Sequence, residues 1–184
     1  MEQWKTVSRR TILNHDKFLT VEAHQVQLPS GQLIDDWSWV KTPDFVNVVA
    51  VTEQGEFLCF RQVKYGIEGT SLAPVGGYIE PGEEPLAAAK RELMEETGCL
   101  ASRWTSLGDY LMDPNRGFAR GHMYLAEGAR AVAEPDADDL EEQLLMRISR
   151  QEMEAGLNAG EFKVVPWSLA VALALRRLDQ NGRV

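Results

Sequence analysis

An α+β fold, with helices covering a mixed β-sheet and an antiparallel β-hairpin ahead of it, is what the sequence predicts, and three observations predict it. Apolar and β-branched runs of strand length recur through the first 63 residues, broken by turn signals. A run of strong helix formers, Leu86 to Met94, then stands between Pro85 and Gly98, the residue types that favour a helix's first position and its left-handed exit. Two further helix starts follow, at Ser149 and Pro166. Strands mixed with a few helices close as layers, here an α/β/α sandwich, because each face of the sheet must be covered.

The elements follow in chain order. Phe18 to Val26 and Leu33 to Val40 read as strands around the turn Leu28-Pro29-Ser30-Gly31, a hairpin that Pro43 ends. Residues 1–43 are therefore an extension, and 44–184 the main domain. Phe45 to Val51 and Phe57 to Val63 form a second pair around Glu53-Gln54-Gly55, apolar enough to be central in a sheet. The helix from about Glu84 to Thr97 packs on that sheet through Leu86, Ala89 and Leu93. Strands are expected near Trp104 to Met112 and His122 to Ala126, with a loop from Asp113 to Arg120 between them. The acidic, small-residue stretch Gly128 to Asp139 reads as mobile. A strand from Gln143 to Ile148 leads into Ser149-Arg150-Gln151-Glu152, a capping box whose helix stops near Gly156 to Gly160. Trp167 to Leu178 forms the last helix, too short to cross a bilayer.

Composition narrows the function. The 184 residues are 44% apolar and 26% charged, with a net charge of −9. That balance suits one soluble catalytic domain and argues against long nucleic acids, for which a basic stripe would be needed. No signal peptide or membrane span is evident, so a cytoplasmic protein is expected. Cys59 and Cys99 have no partners at zinc-ligand spacing and read as reduced, packed thiols.

The chemistry is concentrated in residues 77–99. Glu92, Glu95 and Glu96 stand at i, i+3 and i+4 on the helix, so their carboxylates project side by side next to Arg91. Like charges at that spacing repel by roughly 0.2–0.5 kcal/mol per pair, and a divalent cation reverses the sign. Hard oxygen ligands suit Mg²⁺, with Mn²⁺ as a substitute. The full pattern is Gly77-x5-Glu83-x7-Arg91-Glu92-Leu93-x-Glu95-Glu96-x-Gly98-Cys99. It resembles the box of the Nudix hydrolases, departing only at Cys99, where a larger aliphatic residue is usual.

That resemblance implies the Nudix fold and hydrolysis of a diphosphate linkage. It also implies Glu92 and Glu96 as principal metal ligands, Glu95 as an additional one and the carbonyl of Gly76 completing the set. Arg91 would orient the carboxylates and Glu83 would pin the preceding loop. Outside the box the chain resembles the ADP-ribose and nucleoside diphosphate sugar pyrophosphatase branch, through Leu28-Pro29-Ser30-Gly31, Pro43 to Ala50 and Phe60-Arg61-Gln62-Val63-Lys64-Tyr65-Gly66. It departs at Lys64, where arginine is usual, and at Ala73, where glutamate is. Pro114 lies fifteen residues after Cys99, where the branch carries a substrate-loop proline.

The branch implies a loop carboxylate as general base or further metal ligand, for which Glu141 is the candidate, with Asp139 and Glu142 beside it. Candidates for substrate contact are Trp37 and Trp39, alternating onto one strand face where an indole can stack a ring, with Arg61, Lys64, Pro114, Arg116, Arg120 and His122. The expected partners are a nucleotide sugar such as ADP-ribose and a second copy of the chain, whose N-terminal hairpin would help form the substrate pocket. Other readings are a Nudix hydrolase of dinucleoside polyphosphates or nucleoside triphosphates, and a non-catalytic ADP-ribose sensor.

Overall fold

The protein is described by a computed structural model covering residues 1–136 and 142–182. It divides into two compact units, Met1–Asp44 with Tyr110–Arg120, and Phe45–Asp109 with Gly121–Val184. In the first unit β1 (Lys5–His15), β2 (Leu19–Gln27) and β3 (Leu33–Lys41) form an antiparallel sheet in that order. The expected hairpin is thus β2–β3, and β1 is an added strand. It escaped the period-2 pattern because bulges between Thr6 and Ser8 and between Thr11 and Leu13 shift the alternation twice. All 11 of its residues are also exposed, so no core face marks it.

The second unit holds β4 (Phe45–Thr52), β5 (Phe57–Gln62), β6 (Ser71–Ala73), β7 (Cys99–Leu111), β8 (Arg120–Ala131) and β9 (Gln143–Ile148). The sheet runs β6-β5-β4-β8-β7, with β9 pairing β5. β4 is parallel to β8 and antiparallel to β5, which makes the sheet mixed. Because side chains alternate along a strand, β4 feeds two cores. Val46, Val48 and Ala50 meet Ala88, Ala89 and Leu93 of helix α1 (Pro85–Thr97). Val49 and Val51 share the other core with Met153 of α2 (Arg150–Asn158) and Ala170, Val171, Ala174 and Leu175 of α3 (Val165–Asn181). Helices therefore cover both faces, the three-layer arrangement expected from the sequence. No described helix is long and apolar enough to cross a membrane.

The local signals act as their chemistry requires. Pro85 opens α1, and Gly98, at φ 65°, ends it with its N–H donating to the Met94 carbonyl. Ser149 caps α2 by accepting from the Glu152 N–H while the Glu152 carboxylate accepts from the Ser149 N–H. One packing expectation is corrected: Leu86 is exposed, and Ala88 takes its place on the buried face with Ala89 and Leu93. A second correction concerns the acidic stretch. Gly128 to Ala131 belong to β8, and residues 132–136 dock on the end of α1, with the N–H groups of Val132 and Ala133 donating to the Gly98 carbonyl and that of Asp136 to the Glu95 carbonyl, while 137–139 lie outside the described residues. Cys59 and Cys99 are buried free thiols, and burial pushes that of Cys59 up to about 11, which keeps it inert at neutral pH.

Candidate active site

Helix α1 presents the box carboxylates, and Arg91 organises them. Its Nε and Nη2 donate to the two Glu83 oxygens at 3.0 and 2.9 Å, and its Nη1 donates to Glu92 at 2.7 Å and Glu95 at 2.9 Å. Nη2 also donates to the Tyr78 carbonyl at 3.0 Å. One guanidinium thus ties the loop before the helix to two carboxylates on it, a planar fork that a lysine ammonium cannot reproduce. The Arg91 fork, helped by the Glu80 N–H, holds the Glu83 carboxyl below the usual carboxylate range against the effect of burial. Glu83 in turn does most to keep Arg91 charged, with Glu92 and Glu95 adding to it.

Glu96 is held differently. Its Oε2 accepts from the Gly76 N–H at 2.9 Å, bringing the third carboxylate against the backbone of the glycine pair. Backbone leaves no room for a side chain at Gly76, and at Gly77 the room is taken by a side chain. A Cβ at Gly76 would overlap the Val46 carbonyl, and one at Gly77 would overlap the Glu92 carboxylate. The backbone at 76–77 and the carboxylates of Glu92 and Glu96 therefore enclose a cradle that any side chain would fill. Its donors are all hard oxygens, the set Mg²⁺ and Mn²⁺ take. Among the described residues no three Asp, Glu, His or Cys side chains converge on one point.

The cradle yields a separable prediction. Gly77→Ala should lower kcat by about 10- to 100-fold, because the Cβ displaces a carboxylate whose position matters on the ångström scale. Only the end of a flexible side chain has to move, so the thermal midpoint should stay within about 2 °C of the parent. Steady-state rates beside a melting curve check both halves.

The other candidates fall into separate places. Arg61 on β5 donates to Glu161 at 2.9 Å, so it braces the corner after α2. His122 lies on β8 opposite Val46, half-buried. Lys64 follows β5 in an exposed-to-intermediate segment. Glu141 and Asp139 lie outside the described residues. Glu142 is exposed, and its carbonyl accepts from the Val63 N–H at 3.3 Å. Arg120 donates its backbone N–H to Asp44.

Trp37, Trp39 and Pro114 come together in the first unit. They line a cleft of about 530 Å³ with Trp4, Arg9, His24 and Asn115. Strand register builds one wall, since Arg9, His24 and Trp37 stand directly opposite one another across β1, β2 and β3. The Trp37 indole N–H donates to the Asn115 carbonyl at 2.7 Å and its ring meets Trp4 edge-on at 5.2 Å. Trp39 stacks on His24 at 5.2 Å and lies against Gly117, where a Cβ would overlap the indole. Arg116 binds this loop internally: its side chain pairs with Asp113 at 3.3 Å and its carbonyl accepts from the Val40 N–H. Sequence reasoning missed Trp4, Arg9, His24 and Asn115, and the only signal for His24 was its place at i+2 from Glu22 on a strand, two polar residues facing inward.

Comparison with known proteins agrees with this geometry. Residues 41–168 match the NUDIX domain, and residues 4–40 match the nucleoside diphosphate sugar hydrolase N-terminal domain. The chain is 30% identical over 175 residues to an ADP-ribose pyrophosphatase of Bacillus subtilis, covering 95% of this chain and 92% of that one. It is 31% identical over 145 residues to an ADP-ribose pyrophosphatase of Mycobacterium tuberculosis, covering 78% and 69%. A methanol dehydrogenase activator of Bacillus methanolicus is 28% identical, over 86% of this chain and 74% of that one. The fold is shared with a crystal structure of an ADP compounds hydrolase, at a TM-score of 0.81 and 23% identity over 100% of this chain and 98% of that one. With the NUDIX match spanning the sheet, the glycine pair and the whole carboxylate helix, the chain belongs to the Nudix family.

Proposed function

We propose that the protein hydrolyses the pyrophosphate linkage of a nucleoside diphosphate sugar, ADP-ribose first among them, to a nucleoside monophosphate and a sugar phosphate. The observation that carries this reading is the Arg91-organised carboxylate cradle in a chain whose first residues match the nucleoside diphosphate sugar hydrolase N-terminal domain. The relatives named for ADP-ribose hydrolysis support the choice of substrate.

Glu92, Glu96 and the Gly76 carbonyl would hold Mg²⁺ or Mn²⁺, with Glu95 and Glu141 as further ligands; when bound there, such a cation neutralises phosphate charge and lowers the pKa of a water. The chain's own residues do the positioning. Arg91 fixes Glu92 and Glu95 from one side, Glu83 fixes Arg91, and the Gly76 N–H fixes Glu96. Glu141 takes the proton of the attacking water, a role Asp139 or Glu142 would fill in its place. In the N-terminal unit, Trp37, Trp39 and Pro114 form the cleft that receives the nucleoside ring. Arg61, Lys64, Arg116 and His122 remain candidate phosphate or sugar contacts, those of Arg61 and Arg116 requiring their present ion pairs to open.

A panel of nucleoside diphosphate sugars, dinucleoside polyphosphates and nucleoside triphosphates, with products identified, tests the reading. ADP-ribose should give the highest kcat/KM, and a nucleoside triphosphate in first place would move the protein to another Nudix specificity.

The protein is also proposed to act as a homodimer through its N-terminal sheet, in the cytoplasm. The sheet unit leaves Trp4, Val7, Ile12, Leu13, Phe18 and Leu33 each about half exposed, more apolar surface than one small unit ordinarily shows to water. Unpaired Cys59 and Cys99 suit a reducing compartment. Light scattering should give twice the 20.6 kDa chain mass, and a monomer at micromolar concentration would remove the dimer.

A further inference from the structure

The first unit contains two buried polar side chains that the proposed chemistry leaves without a task. Glu22 and His24 are only 8% and 3% exposed, in a sheet whose buried apolar residues are Ala23 and Val26. Burying a carboxylate and an imidazole in so small a core costs stability unless each is paired. They are paired with each other, His24 Nε2 lying 2.8 Å from Glu22 Oε2, and Lys41 donates to the other Glu22 oxygen at 2.6 Å. His24 and Lys41 hold the Glu22 carboxyl below the usual range, so the acceptor stays ionised.

The pairing sets the chemistry of the imidazole edge. An ionised carboxylate only accepts, so Nε2 must carry the proton, and in the neutral ring Nδ1 is then an acceptor. His24 lines the cleft, its face is covered by Trp39, and no side-chain nitrogen or oxygen among the described residues is both sealed from solvent and unpartnered. Nδ1 is therefore the polar atom that His24 leaves for whatever occupies the cleft.

We propose that His24 is a specificity-determining residue of this cleft, selecting a flat heterocycle that carries an amino N–H over one that carries a carbonyl at the same place. Glu22, braced by Lys41, is the positioning residue that fixes the proton on Nε2. Trp37 and Trp39 contribute flat apolar walls that accept any base, so discrimination falls to the polar lining, in which His24 is the buried acceptor edge. The preferred ligand class is an aminopurine or aminopyrimidine nucleotide, and adenine belongs to it where hypoxanthine does not. This inference rests on the reading that the cleft receives the nucleoside ring of the substrate.

The test compares kcat/KM for ADP-ribose with that for its inosine counterpart, which exchanges the amino group for a carbonyl. Wild type should favour ADP-ribose by about tenfold or more, mainly through KM, since a buried acceptor facing another acceptor loses its hydrogen bond. His24→Phe keeps a ring against Trp39 and should bring the ratio close to one by raising KM for ADP-ribose. His24→Leu, which removes both ring nitrogens with a smaller apolar side chain, should do the same and serves if the phenylalanine variant does not fold. Equal use of the two compounds by wild type, or a ratio retained in either variant, overturns the proposal. Trp37→Ala separates the two readings: it should raise KM for both compounds and keep their ratio. If Trp37→Ala leaves both KM values unchanged, the cleft is not the ring subsite and the underlying reading falls with the proposal; if it raises them while His24→Phe keeps the ratio, only the role of His24 falls.

Discussion

Glu96→Gln is expected to lower kcat by about 10²-fold or more while the protein remains folded. The side chain accepts the Gly76 N–H at 2.9 Å, and a glutamine carbonyl can accept the same bond. Volume and rotamer are kept, so the thermal midpoint should move by no more than about 2 °C. What disappears is the negative charge at the mouth of the glycine cradle, and with it the ability to hold a divalent cation firmly. The loss should therefore shrink, though not vanish, at high Mg²⁺. A near-parental rate at low Mg²⁺ would remove Glu96 from the ligand set.

Arg91→Lys is expected to damage both rate and stability. Arginine serves Glu83 through two nitrogens, Glu92 and Glu95 through a third, and the Tyr78 carbonyl besides. A lysine ammonium has three donors and no planar fork, so at least two of the five bonds and at least one of the four partners are lost. Glu83 and Glu92, whose side chains are 16% and 13% exposed, would then face each other with less countercharge. Losing part of a half-buried ionic cluster should cost about 2 kcal/mol, or roughly 4–8 °C in thermal midpoint for a chain of this size. Misplaced carboxylates should reduce kcat/KM by about 10- to 100-fold, the usual effect of removing a ligand's supporting partner. A variant that melts early but turns over at the parental rate would show that Arg91 only braces the fold.

What was legible in the sequence was whatever local chemistry decides. Pro85 and Gly98 bound the box helix because φ is fixed at one end and left-handed at the other, and Ser149 with Glu152 bound the next helix by reciprocal hydrogen bonds. The spacing of Glu92, Glu95 and Glu96 gave the carboxylate face, since helical periodicity alone puts them together. Features that depend on distant residues were less legible. Strand β1 is held by pairing with β2 and carries no buried face of its own, so neither periodicity nor burial announced it. Ala88 in place of Leu86 shows how closely α1 approaches β4: a small residue fits between helix and sheet, and the larger one turns to solvent. The Arg61 motif gave no sign of Glu161, a hundred residues away, which pairs with its guanidinium. The cleft was half legible through Trp37, Trp39 and Pro114. Its polar edge depends on the β1–β2–β3 register, which sets Arg9, His24 and Trp37 in one row, and on a loop from the middle of the chain.

The central claim is that the Arg91-organised carboxylates on α1 serve hydrolysis of a nucleotide-sugar pyrophosphate bond. The most direct measurement is to incubate the protein with ADP-ribose and Mg²⁺, with and without excess chelator, and resolve the products chromatographically. AMP and ribose 5-phosphate are expected in equal amounts, formed with Mg²⁺ and abolished by the chelator. Binding of ADP-ribose with no turnover, or turnover undiminished after exhaustive chelation, would contradict the claim.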